Sequence, residues 1–80
     1  KESGQEEDWE QEREELETRL YDALDRLAPM KRIVFRLFEM DGRTVQEISE
    51  IAGIPVGTVK SRLSRARGEL RRYLAPYLKA

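Results

Sequence analysis

Eighty residues, 39% of them apolar and 8% aromatic, support one small domain and leave no room for a second within them. With neither cysteine nor histidine, disulfides, thiolate metal sites and the usual structural zinc arrangements are excluded, and no apolar run approaches the ~20 residues of a membrane span or the pattern of a signal peptide. The net charge of −1 conceals a segregation: residues 1–17 carry nine acids against Lys1 and Arg13, residues 18–54 are neutral overall, and residues 55–80 carry seven cations against Glu69.

The opening KESGQEEDWEQE is acidic and has only Trp9 as an apolar anchor. Residues 1–18 therefore read as an acidic, partly disordered linker, and residues 19–80 as the folded domain. Within the linker, Glu6, Glu7 and Asp8 read as solvated charge, because so polar a segment offers no fixed geometry for a metal. The chain begins at Lys1 without an initiator methionine, as a piece of a longer protein would. From about Glu12 a helical stripe begins, with Leu16, Leu20, Ala23, Leu24 and Leu27 on one face down to Ala28. Pro29 is suited to open a second helix, in which Met30, Ile33, Val34, Leu37 and Phe38 recur at core spacing. Phe35 falls off that stripe, which marks it for an interface role. Gly42 should end this helix near Met40.

Thr44 followed by Glu47 is a capping box and opens a third, short helix with Val45, Ile48 and Ala52 facing inward. Gly53 supplies a residue able to adopt positive φ at its end. Ile54 and Pro55 lead into a fourth helix, and Pro76 limits how far that helix runs. The expected fold is all-α: a small four-helix domain whose last two helices form a helix-turn-helix. The spacing fits that motif, with Ser49 small where the helices cross, Gly53 in the turn, and Val59 where the second helix locks onto the first.

In the fourth helix, at about 100° per residue, Val59, Leu63, Ala66 and Leu70 form one apolar stripe. Gly57, Ser61, Ser64 and Gly68 fall opposite, flanked by Lys60, Arg65, Arg71 and Arg72. A helix-turn-helix inserts the first half of its second helix into the DNA major groove. Small residues on the crest allow close approach. Lys60 and Arg65 reach guanine edges, and serine hydroxyls bond several base edges. Arg62, Arg67, Arg71 and Arg72 are placed for phosphates, and the first turn of the third helix, from Thr44, offers backbone N–H groups to another. No catalytic role is expected for Ser61 or Ser64, since no histidine is present to activate them, and the chain does not read as an enzyme. No cofactor or metal is called for.

These residues carry a family resemblance. VQEISEIAGIPVGTVKSRLSRARGELRRYL resembles region 4 of sigma-70 family factors, most closely the extracytoplasmic-function group, and LDRLAPMKRIVFRLFEMDGRT is similar to the first half of that region. Ser49 stands where alanine is more usual, and Pro55 where a capping serine is common. The resemblance implies binding to double-stranded promoter DNA at the −35 element, with Lys60, Ser61, Ser64 and Arg65 reading bases and Thr58, Arg62 and Arg67 near the backbone. It further implies docking on the β flap of the RNA polymerase core, sequestration by an anti-sigma factor, a cytoplasmic location, and a monomer when alone. Two other readings fit the string less well: a sigma-like interaction module that binds an anti-sigma factor without DNA contact, and a LuxR-type response-regulator output domain. If the resemblance to sigma region 4 holds, the acidic segment is the end of the linker between regions 2 and 4, and a fold-back of it onto the basic helix in the free fragment would weaken DNA binding.

Overall fold

The computed structural model describes residues 2–77, and side chains for residues 9–77. The expectation for Glu6, Glu7 and Asp8 lies outside the described side chains. Four helices follow one another: α1 (Glu2–Arg26), α2 (Pro29–Phe35), α3 (Val45–Ala52) and α4 (Val56–Leu74). A π-helical turn, Arg36–Met40, extends α2, and a 3₁₀ turn, Ala75–Tyr77, follows α4. The all-α expectation holds, with no strand among the described residues.

α1 begins at Glu2, well before the start expected near Glu12. Residues 9–17 are exposed, so no tertiary packing accounts for helix there. Its basis is local: glutamate, glutamine and arginine are good helix formers, and Arg19 pairs with Glu15 one turn away at 3.5 Å. The polar composition argues against burial, not against helix.

Two apolar clusters share α4 as their common wall. Near its start, Val59 and Leu63 meet Val34 and Ile48, with Leu37, Phe38, Val45 and Ile54 closing the edges. Further along, Ala66 and Leu70 meet Ala23, Leu24 and Leu27, joined by Leu20, Phe35, Tyr73 and Leu74. Leu24, Ile48, Val34 and Val59 are the largest fully buried side chains. Burial of each stabilises the fold by about 1.5–3 kcal/mol.

The core is smaller than the periodicity predicts. Leu16, Met30 and Ile33 lie on the expected stripes but are 41%, 39% and 47% exposed. Leu16 sits beyond the end of α4, beside Tyr77, and Met30 and Ile33 of α2 belong to neither cluster. Phe35, off the stripe, is instead half-buried against the α1/α4 cluster. α2 thus lies between the two clusters, sending Val34 into one and Phe35 toward the other.

α1 and α4 run antiparallel. The Arg26 guanidinium lies 4.4 Å from the Tyr73 ring centroid, and Arg19 lies 4.4 Å from that of Tyr77. Moving back along α1 therefore means moving forward along α4. The first half of α1 continues past the end of α4, and the molecule extends 52 Å along its long axis against 22 and 18 Å across it.

The helix ends follow the expected chemistry. Gly42 has φ 72° and Gly53 φ 70°. At the end of the π-helical turn the Asp41 N–H donates to the Arg36 carbonyl at 3.0 Å, and the Arg43 N–H reaches back to Leu37 at 2.9 Å. A Cβ added at Gly53 or at Gly68 meets nothing within 4 Å, so backbone conformation alone separates the two sites. Gly53→Ala is expected to destabilise by about 1–2 kcal/mol through its left-handed φ. Gly68→Ala, inside α4, is expected to stabilise by about 0.5–1 kcal/mol. Thermal unfolding of both variants measures the opposite signs.

Candidate nucleic-acid interface

The geometry of the interface begins with the caps of α3. Thr44 Oγ1 accepts the Glu47 N–H at 3.0 Å, and Glu47 Oε1 accepts the Thr44 N–H at 2.9 Å, completing the capping box read from the sequence. Three residues, Gly53, Ile54 and Pro55, connect α3 to α4. The N–H groups of Gly53 and Ile54 both donate to the Ser49 carbonyl, at 2.9 and 3.2 Å, and Ser49 Oγ donates to the Ile54 carbonyl at 2.5 Å. Ser49 thus holds the turn from both its backbone and its side chain. Pro55 has no side-chain cap to give, but its carbonyl accepts the N–H groups of Thr58 and Val59 at 3.0 and 3.1 Å. Below the turn, Ile48 and Val59 are completely buried and fix the crossing of the two helices.

With its apolar face committed to the core, α4 turns the other face outward. Lys60, Ser61, Ser64 and Arg65, the four expected base readers, are all exposed on this face, as are Gly57, Arg71 and Arg72. Ser61 Oγ donates to the Thr58 carbonyl at 3.1 Å, which steadies the hydroxyl and leaves its oxygen able to accept. Thr58 is half-buried. Thr44 is exposed at the start of α3, with its hydroxyl engaged in the cap.

Two arginines differ from the rest. Arg62 is half-buried, and its Nη1 is shielded from solvent without a hydrogen-bond partner among the described residues. Arg67 is turned toward α2: its Nε–H and Nη2–H donate to Glu39 Oε2 at 2.9 and 2.6 Å, and its guanidinium lies 5.5 Å from the Phe38 ring centroid. No local pattern in the sequence points to Glu39, because the two partners stand 28 residues apart. On the other flank Glu69, the one acid of α4, is paired with Lys31 of α2. Arg67 and Glu69 are therefore locally neutralised, while Lys60, Arg65, Arg71 and Arg72, on either side of the crest, form no ion pair among the described residues.

The acidic segment does not face this crest. Because α1 is antiparallel to α4, Glu10, Glu12, Glu14, Glu15 and Glu17 lie toward Tyr77, at the end of the molecule away from the turn. The expected fold-back of this segment onto the basic helix is not the arrangement adopted.

A short turn between crossed helices, a buried lock beneath it and a cationic second helix define the helix-turn-helix class of nucleic-acid-binding module. The model of the family "Sigma-70, region 4" matches residues 17–70, and the chain belongs to this family. Over 60 residues, 74% of the chain, it is 42% identical to the RNA polymerase sigma factor HrpL of Pseudomonas syringae pv. syringae, covering 32% of that protein. Over 55 residues, 69% of the chain, it is 42% identical to the ECF RNA polymerase sigma factor SigE of Mycolicibacterium smegmatis, covering 21% of it. Over 64 residues, 80% of the chain, it is 34% identical to the ECF RNA polymerase sigma-E factor of Haemophilus influenzae, covering 34% of it. The chain thus spans about a third or less of the length of these relatives.

The role of Ser49 in the turn is open to a direct check. Ser49→Ala removes the bond to the Ile54 carbonyl and is expected to cost about 1 kcal/mol. For a domain of this size that lowers the melting temperature by about 4–8 °C. Thermal unfolding followed by circular dichroism measures it.

Proposed function

We propose that this chain is the region 4 module of an extracytoplasmic-function sigma factor and binds promoter DNA at the −35 element, contributing to transcription initiation in the cytoplasm. The observation that carries this reading is the crest of α4: small residues in the centre, unpaired cations beside them, and a buried face that keeps the crest pointed outward. In this reading Lys60, Ser61, Ser64 and Arg65 meet base edges in the major groove. Thr58, Arg62, Arg71 and Arg72 approach phosphates, and the first turn of α3 at Thr44 offers backbone N–H groups to another. Arg65, bidentate to guanine O6 and N7, contributes about 1–3 kcal/mol of discrimination.

A second surface supports the partner half of the proposal. Met30, Ile33 and Met40 are exposed along α2 and its π-helical turn. We assign this apolar surface to the β flap of RNA polymerase, and an anti-sigma factor competes for the domain. Uncovered when the domain is a free monomer, it is shielded when docked.

Selection of bound duplexes from a random pool identifies the sequence read, and two variants then separate reading from holding. Arg65→Ala is expected to narrow the affinity gap between the selected duplex and its single-base variants. Arg72→Ala is expected to weaken binding equally on all of them and to reduce the salt slope by about 0.9. Equal losses on every sequence from both variants would count against base reading by Arg65. For the flap, Ile33→Glu is expected to abolish capture by polymerase core while leaving duplex affinity unchanged; retained capture would move the docking surface elsewhere.

A further inference from the structure

The sequence assigns Arg67 to the DNA backbone, yet the structure gives its guanidinium an internal partner. Arg67 follows Lys60 by two turns and precedes Arg71 by one, so all three lie on the same flank of α4. Lys60 and Arg71 point outward from that flank; Arg67 is drawn back over Phe38 to Glu39. The contact is made through Nε–H and Nη2–H together, both on Oε2. That edge of a guanidinium is one with which arginine grips a phosphate by two parallel hydrogen bonds. Carboxylate and phosphate therefore compete for the same donors and cannot both hold them. The pair is also reachable from solvent, with the Arg67 and Glu39 side chains 44% and 36% exposed.

Resting on the reading of α4 as a DNA-binding helix, we propose that Glu39 is an internal stand-in for phosphate. It occupies the Arg67 edge that a DNA phosphate otherwise takes. α4 then meets DNA with one phosphate contact fewer than its cations provide, which holds down the sequence-independent part of its affinity. Glu39 is a positioning residue in this arrangement: it acts on DNA only through Arg67.

Salt-dependent binding of a fluorescent random-sequence duplex to the full eighty-residue chain tests this, in four forms: unaltered, Glu39→Gln, Arg67→Ala, and both together. Releasing one phosphate-binding cation is expected to steepen the slope of log affinity against log salt by about 0.9, an extra loss of about 3.5-fold between about 50 and 200 mM salt. Glu39→Gln should show this steepening in the unaltered chain and none in the Arg67→Ala background, because the added contact is made by Arg67. Equal slopes with and without Glu39→Gln overturn the proposal. So does the same steepening in both backgrounds, which assigns the effect to general repulsion of DNA by the Glu39 charge. Absence of duplex binding by all four forms overturns the DNA reading itself and this inference with it, whereas binding that is indifferent to Glu39 overturns this inference alone.

Discussion

Everything in this domain depends on the burial of one face of α4. Val59, Leu63, Ala66 and Leu70 are at most 4% exposed, and each of the other three helices is held through them: α3 by Ile48, α2 by Val34, and α1 by Ala23, Leu24 and Leu27. A domain this small has few such contacts, and a total stability of about 5–15 kcal/mol rests on side chains that contribute about 1.5–3 kcal/mol each. The same burial sets function. A helix whose apolar stripe is fixed from one side presents its opposite side in one orientation only, so the outward aim of Lys60, Ser61, Ser64 and Arg65 follows from packing on the reverse face.

Charge is arranged around that constraint. Two charges on the flanks of α4 are neutralised from α2 and its π-helical turn, Glu69 by Lys31 and Arg67 by Glu39. Partly exposed pairs of this kind contribute about 0–1 kcal/mol to stability, so their larger consequence is where they leave unpaired charge. That charge lies on Lys60, Arg65, Arg71 and Arg72, on either side of the small residues of the crest. Meanwhile the antiparallel course of α1 carries Glu10 to Glu17 toward Tyr77, which stands about 18 Å along the axis from Arg65 at 1.5 Å per residue. Such a separation exceeds the Debye length of about 8 Å at physiological salt, so the acids of α1 leave the charge at Lys60 and Arg65 largely uncancelled, while Arg71 and Arg72, within two turns of Tyr77, stand closer to them.

Much of the fold was legible because it is specified locally. The capping box at Thr44, the left-handed glycines at positions 42 and 53, the start at Pro29 and the alternation of small and cationic residues along α4 are each properties of a few adjacent residues. The early start of α1 has an equally local cause: its acidic opening is too polar to be buried, but its glutamate, glutamine and arginine residues favour helix without burial. The helix-turn-helix spacing was also readable, since Ser49, Gly53 and Val59 are placed by contacts that span only one turn between two helices.

Helical periodicity identifies candidate core positions, and it groups Leu16 with Leu24 and Ile33 with Val34, whereas in the structure Leu24 and Val34 are buried and Leu16 and Ile33 exposed. How much of a face is covered depends on where another helix crosses it: α4 ends before Leu16, and Ile33 of α2 lies outside both clusters. Phe35 became part of the core, and Arg67 became the partner of Glu39, through the same crossing of α2 over α4. Sequence patterning thus settled the three later helices, the capping box and glycine turns, and the exposed residues of α4, because those follow from backbone geometry over a few positions. Which apolar residues are buried and which cations are already engaged was settled by the packing of helices distant in the chain, because crossing angles and long-range ion pairs have no counterpart in local spacing.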